Sequence, residues 1–363
     1  MNRLFFTNHA AVENAHFTKN SDDFVVSEIP LYEFSGSGEH LALHVRKKDL
    51  TTWQMLQALS DMSGAKMRDF GYAGLKDKDG MTTQYISIHK SFEKAFENFS
   101  HPNIKILSST YHNNKIKTGH LKGNRFFIRL KKISSVDALK LAEACKKIAR
   151  EGYPNYFGYQ RFGKTGDNFE EGRALLEGKR KERNPKLRDF LISAYQSELF
   201  NRWLSKRIEI SKYFESFNDK ELQSALDWDK ETIKKVKQQP QFCKLLEGDV
   251  CHHYPHGKAF LCEDVDAEVA RFVNHDITLT GFLVGGRAMR AEGLAGEIDR
   301  EFFAEADAFL DKLDGSRRFA WCFATDFEYR YKEEDAWFEM NFSLQKGSYA
   351  TVVLEEILHR ELS

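Results

Sequence analysis

The spacing of hydrophobic positions changes period several times along this chain, and each change marks an element. Phe24, Val26 and their neighbours alternate as a short strand, and Leu41-Ala42-Leu43-His44-Val45 is a second, apolar enough to be covered on both faces. Trp53, Leu56, Leu59 and Met62 then recur at helical spacing, with Thr51 or Thr52 placed to cap the helix. Alternation returns at Tyr85-Ile86-Ser87-Ile88. A Gly123-Asn124 turn runs into alternating Phe, Ile and Leu up to Leu130. Val136 to Arg150 is an amphipathic helix (Leu139, Leu141, Ala144, Cys145, Ile148) that ends at Gly152. Farther on, a strong helix begins at Leu191 and residues 213–240 are polar and helical. Residues 246–262 read as a hairpin and 291–313 as an acidic helix. Alternating strands around Trp337 to Phe342 lead to a closing helix, Val352 to His359.

Between the helix after Thr52 and the strand at Tyr85 lies Gly71-Tyr72-Ala73-Gly74-Leu75-Lys76-Asp77-Lys78-Asp79-Gly80-Met81-Thr82-Thr83-Gln84. Small residues at Gly71, Ala73 and Gly74 let the backbone approach a ligand, and Gly80 supplies a turn. Asp77 has a lysine on each side. A neighbouring cation favours the ionised carboxylate, the form a carboxylate nucleophile needs. A solvated turn is the plain alternative. Calcium is a poor one, since Met81, Thr82 and Thr83 cannot supply the rest of a calcium loop.

The 363 residues, 41% hydrophobic and 30% charged, suit a globular protein with room for two domains. No apolar run approaches a membrane span, and the N-terminal residues lack a signal-peptide core. Five scattered cysteines suggest free thiols in a reducing cytoplasm. Net charge is zero, but its distribution is uneven. Residues 101–212 carry 25 Lys and Arg against 11 Asp and Glu, whereas 263–363 carry 11 against 22. The basic middle is a surface that a polyanion such as RNA would feel locally.

Other stretches tempt and then fail. Cys251, His252, His253 and His256 resemble a zinc set, but adjacent strand residues point to opposite faces and no second ligand pair stands nearby. Gly281 to Arg287 lacks the Gly-Lys-Ser/Thr of a phosphate loop and reads as a structural turn. The basic run Lys179-Arg180-Lys181-Glu182-Arg183, on a loop before Pro185, is either solvated or a phosphate contact. Tyr153-Pro154-Asn155-Tyr156-Phe157-Gly158-Tyr159-Gln160-Arg161-Phe162-Gly163 is an aromatic-rich loop of the kind found beside a ligand.

Taken in order, five motifs resemble the TruD family of tRNA pseudouridine synthases. They are Ala73-Gly74-x-Lys76-Asp77-x-x-x-x-Thr82-x-Gln84, Gly123-Asn124-x-Phe126, Asn155-x-Phe157-Gly158-x-Gln160-Arg161-Phe162-Gly163, the helix opening at Leu191, and Gly347-Ser348-x-Ala350-Thr351 before the last helix. The stretch Lys19 to Glu28 resembles the family's opening pattern with departures: Ser21 stands for proline, Asp22 for glutamate, and Thr18 occupies the usual lysine register with Lys19 beside it. The resemblance implies an α+β fold. A mixed, largely antiparallel catalytic sheet is built from residues 1–155 and 318–363, and a second α/β domain, 156–317, is inserted into it. RNA would lie between the two. The implied reaction isomerises uridine 13 in the D arm of tRNA, in the cytoplasm, with Asp77 as nucleophile and no metal or cofactor. Phe126 would pack against the target base. Asn124, Lys76, Gln160, Arg161 and Lys19 would hold substrate, RNA or loop. Two other classes stay open: an RNA-binding protein without catalysis, and a different RNA-modifying enzyme such as a methyltransferase. The second needs a Gly-rich strand–turn–helix or a loop cysteine, and neither is present.

Overall fold

The computed structural model describes residues 3–163 and 165–362. The first part of the chain gives β1 (Phe24–Pro30), β2 (His40–Lys48), α1 (Thr52–Ser63), β3 (Gly71–Tyr72), β4 (Met81–His89), α2 (Glu93–Phe96), β5 (Ile104–His112), β6 (Leu121–Leu130) and α3 (Ser135–Glu151). The middle gives β7 (Tyr153–Pro154), α4 (Asn168–Leu176), α5 (Pro185–Ser216), α6 (Asp219–Leu226) and α7 (Lys230–Gln238). These are followed by β8 (Val250–His253), β9 (Ala259–Leu261), α8 (Val265–Val273), β10 (Ile277–Leu283), α9 (Gly293–Glu305), β11 (Ser316–Phe319) and β12 (Trp321–Cys322). The chain ends with β13 (Thr325–Lys332), β14 (Trp337–Gln345) and α10 (Ala350–Leu358).

By contact the chain divides into two compact units: Val12–Cys145 with Ala324–Gly347, and Met1–Ala11, Lys146–Phe323 and Ser348–Ser363. The first is an eight-stranded sheet in the order β13-β14-β6-β1-β4-β2-β5, with β3 paired to β4. Only β1 and β4 run parallel; the other pairs are antiparallel. The fold is therefore α+β with a mixed, largely antiparallel sheet. The strands near Trp337 do complete it, because β14 pairs with β6 along eight residues from Phe338↔Leu130 to Gln345↔Gly123.

Register decides which side chains share a face. Val26 lies beside both Phe126 and Thr82, Glu28 beside Asn124, Val45 beside Gln84, and Lys47 beside Thr82. At one end of this face α1 buries Met55, Leu56 and Leu59 against Leu41, Leu43, Val45, Ile86, Ile88 and Ile104. At the other, Cys145 on α3 touches Met340 on β14 (3.9 Å). The strip between the two helices carries Glu28, Gln84, Asn124 and Phe126. Helix α1 starts in a capping box: Thr51 accepts from Gln54 N–H, and Gln54 accepts from Thr51 N–H. The residues facing the core are Met55, Leu56 and Leu59, while Trp53 and Met62 are 51% and 39% exposed, so the buried stripe is narrower than the apolar spacing suggested.

One local expectation fails. Gly123-Asn124 is not a turn; both residues lie inside β6. A Cβ on Gly123 would stand 2.0 Å from the carbonyl oxygen of Leu344, so the glycine serves close approach of β6 to β14 rather than a bend.

The second unit is built on α5, which begins six residues earlier than Leu191. Pro185 occupies its first turn and Asn184 caps it through Lys186 and Leu187 N–H. Its Phe200 and Trp203 press on Gly281 of β10, where a Cβ would meet the Trp203 ring at 2.4 Å. Strand β10 belongs to a four-stranded sheet, β11-β10-β8-β9, and β7 pairs with β12. Buried Arg207 grips Asp249 through two hydrogen bonds (2.5 and 2.8 Å). The unit's boundaries at 145/146 and 323/324 lie outside those read from sequence. Trp321 Nε1 donates to Glu151 carbonyl and β12 holds β7, which ties both flanks to this unit. Helix α10 belongs here too: its buried Glu356 accepts from the N–H groups of Phe6 and Thr7. No helix among the described residues is long and apolar enough to cross a membrane.

Candidate active site

Residues 73–80 connect β3 to β4, and the surrounding elements hold this loop by its backbone. Thr52, in the first turn of α1, accepts from Lys76 N–H (2.8 Å) and donates to Gln84 Oε1 (3.0 Å). Gln84 on β4 reaches Gly74 carbonyl (3.4 Å), and Gly119 N–H donates to Ala73 carbonyl (2.7 Å). Gly80 closes the loop at φ +83°, a left-handed turn in which an added Cβ would also strike Phe24 carbonyl at 2.6 Å. Asp77 sits at the loop's exposed tip with Lys78 and Asp79.

The two lysines beside Asp77 do not act as the sequence suggested. The Lys76 side chain is only 7% exposed and turns back to the sheet, where its ammonium lies 3.1 Å from Glu28 Oε2 and donates to Asn124 Oδ1 (2.7 Å). Glu28 is held on its other oxygen by Tyr85 N–H (3.2 Å). Burial pushes the Glu28 carboxyl up from its ordinary value, against the opposing pull of Lys76. Lys78 is exposed. The cation that meets Asp77's backbone is instead Lys47, fully buried on β2, whose ammonium donates to Asp77 carbonyl (2.6 Å) and Leu50 carbonyl (2.5 Å).

Phe126 is 7% exposed and stands between Phe24 (ring centroids 6.3 Å) and Phe342 (5.7 Å). Its body therefore belongs to the core, as for most strand phenylalanines. Lys19 is half-buried on the lead into β1. Beside it, Thr18, in the register the family usually gives to lysine, donates to Asp23 Oδ2 (3.1 Å), and Lys131 binds the same oxygen at 2.6 Å.

Gln160 and Arg161 lie in the second unit, on a single turn, Tyr159–Arg161. Gln160 is exposed. Arg161 donates to Ser193 Oγ (2.6 Å) and Ser197 Oγ (3.3 Å) and lies over the rings of Phe157 (5.7 Å) and Phe190 (5.1 Å). Burial pulls this guanidinium down from its ordinary value, and no carboxylate among the described residues pairs with it. Arg318, on β11, shares the Phe157 ring: its guanidinium is 4.0 Å from that centroid and donates to Asn155 carbonyl (3.3 Å). The Cys251–His256 stretch makes separate contacts: Cys251 is buried beside Cys262, while His253 packs on Phe260 and bonds Arg271 (3.0 Å).

Sequence reading thus placed Asp77, Lys76 and Asn124 in one site, and the structure brings Lys76 and Asn124 into contact behind the Asp77 loop. It missed Lys47, Glu28 and Thr52. Arg46-Lys47-Lys48 looks like a solvated run. Yet alternation from Leu41, Leu43 and Val45 puts Lys47 on the buried face, and that signal was available.

A family description, tRNA pseudouridine synthase D (TruD), matches residues 2–184 and 220–357 of this chain. A tRNA pseudouridine synthase D of Campylobacter jejuni (strain RM1221) is 56% identical over 360 residues, covering 99% of this chain and 96% of that one. The protein of the same name from a Nitratiruptor species is 53% identical over 362 residues, covering 100% and 99%. A solved structure from Methanosarcina mazei, also described as a TruD protein, superposes with a TM-score of 0.74 at 21% identity, over 99% of this chain and 96% of that one, a likeness of fold. With its whole length aligned to these relatives, the chain belongs to the TruD family of tRNA pseudouridine synthases.

Proposed function

We propose that this protein isomerises uridine 13 in the D arm of tRNA to pseudouridine, with Asp77 as the nucleophile and without a cofactor. The observation that carries this reading is a carboxylate at the exposed tip of a loop whose backbone is fixed from α1, β2 and β4. A nucleophile needs access and a defined direction, and this loop offers both.

The reaction breaks the N1–C1′ glycosidic bond, turns the uracil, and forms a C5–C1′ bond; the C5 hydrogen leaves as a proton. Asp77 either attacks C1′, adds to C6, or removes a proton to form a glycal. A base in a duplex is out of reach, so the uridine leaves its stack first. Phe126 is the proposed platform for it. Lys76, held by Glu28 and Asn124, supplies positive charge near the target, and Arg161 and Gln160 are proposed contacts to the RNA backbone. Lys19 is a further candidate for that contact. Five buried cysteines outside any disulfide fit a reducing cytoplasm, the compartment we propose.

The position is tested by carbodiimide mapping of tRNA transcripts after incubation with the protein. The reading expects a single new reverse-transcription stop assigned to residue 13, lost when that uridine is replaced by cytidine. A stop elsewhere, surviving that replacement, would move the target; no stop with retained tRNA binding would favour an RNA-binding role.

A further inference from the structure

Lys47 is 0% exposed, on a strand face shared with Leu41, Leu43 and Val45. No carboxylate among the described residues lies within ion-pair distance of it; its hydrogen-bond acceptors are two main-chain carbonyls, Leu50 (2.5 Å) and Asp77 (2.6 Å). Burying an ammonium on such terms is costly, and a methionine would fill the same slot with far less desolvation. Burial indeed pushes the Lys47 ammonium down to about 8, with Lys76 adding to the effect and Asp77 and Asp49 opposing it. A lysine kept here needs a reason other than packing.

The other backbone anchors of the loop fall at Ala73, Gly74, Lys76 and Gly80. Lys47 alone among the hydrogen bonds named above acts on Asp77 itself. Fixing a residue's carbonyl restricts its ψ, and with the amide side already held at Lys76 it sets the direction of the Cα–Cβ bond. We propose that Lys47 is a positioning residue for the isomerisation: by holding the Asp77 carbonyl, its ammonium fixes where the Asp77 carboxylate points. The proposal rests on Asp77 being the nucleophile. A misplacement of about 1 Å at a reacting group costs about 100-fold in rate.

The test compares wild type, Lys47→Met and Lys47→Gln in single-turnover tritium release from tRNA carrying 5-tritiated uridine. The dissociation constant for the same tRNA and the unfolding midpoint are measured in parallel. The expected result for Lys47→Met is a loss of about 100-fold in rate, with tRNA binding within twofold and no lower midpoint, and a smaller loss for Lys47→Gln, which keeps N–H donors. Wild-type rates in both variants would overturn the proposal. So would a rate loss matched by weaker tRNA binding or a lowered midpoint, which would mark a structural role. Failure of both variants to fold would likewise mark a structural role and overturn it. Asp77→Asn is run beside them. Its failure to abolish release would sink the nucleophile reading, whereas its inactivity beside fully active Lys47 variants would sink only the role of Lys47.

Discussion

Gly123→Ala offers a perturbation whose cost follows from one distance. An added Cβ would stand 2.0 Å from Leu344 carbonyl oxygen and 2.9 Å from Gln345 Cα, and real contacts stay above 3.0 Å. The strands must therefore part by at least about 1 Å at this point. Neither can move away as a body, since β6 is also paired to β1 and β14 to β13. The gap has to open locally, straining one or two ladder bonds at Gly123↔Gln345. Each buried group left unpaired costs about 1–3 kcal/mol, so the variant should lose about 2–4 kcal/mol. Urea unfolding followed by tryptophan fluorescence reads this directly, because Trp337 lies on β14. Activity should fall as well, by tenfold or more, because the next residue, Asn124, holds Lys76 at 2.7 Å. Gly74→Ala is the control: nothing lies within 4 Å of its added Cβ, and the midpoint should move by less than about 0.5 kcal/mol. A Gly123→Ala protein with wild-type midpoint and rate would refute the close-approach argument and the site geometry that depends on it.

Asn124→Ala removes one of the two anchors of Lys76 and leaves Glu28. A hydrogen bond to a charged group is worth about 1.5–3 kcal/mol, so single-turnover release should fall about 10- to 100-fold with little change in tRNA affinity. Glu356→Gln should change the pH dependence of stability. Burial pushes the Glu356 carboxyl up to about 7 from an ordinary 4.5, with Arg3 and the N–H groups of Phe6 and Thr7 opposing. The folded chain then binds more protons than the unfolded one between those values, so wild-type stability falls as pH rises from 4.5 through 7. The variant lacks this fall, and thermal melts should show its advantage over wild type growing from pH 5 to pH 8, by at most about 3 kcal/mol. A pH-independent difference between the two would contradict that assignment.

Local pattern made much of the fold legible. The alternation of β1, β2 and β4, the cap at Thr51 and the stop of α3 at Gly152 are all written in neighbouring residues. Most of the failures are non-local. Gly123-Asn124 reads as a turn because its partner, the Leu344 backbone, lies more than 200 residues away in sequence. Lys76 looks like a neighbour for Asp77 because sequence cannot show Glu28 waiting across the sheet. Lys47 hides in a run of three cations, and only its place in the strand's alternation separates it from the two beside it. Helix α10 is grouped by sequence with the sheet strands that precede it, yet Glu356 ties it to the N-terminal segment.

The central claim is that Asp77 carries out the chemistry. Its most direct measurement is tritium release from tRNA carrying 5-tritiated uridine, with wild-type protein and with Asp77→Asn at equal tRNA occupancy. Release by the wild type and none by the variant, with tRNA binding preserved, is the result this account predicts. Equal release from both would place the nucleophile elsewhere and contradict it.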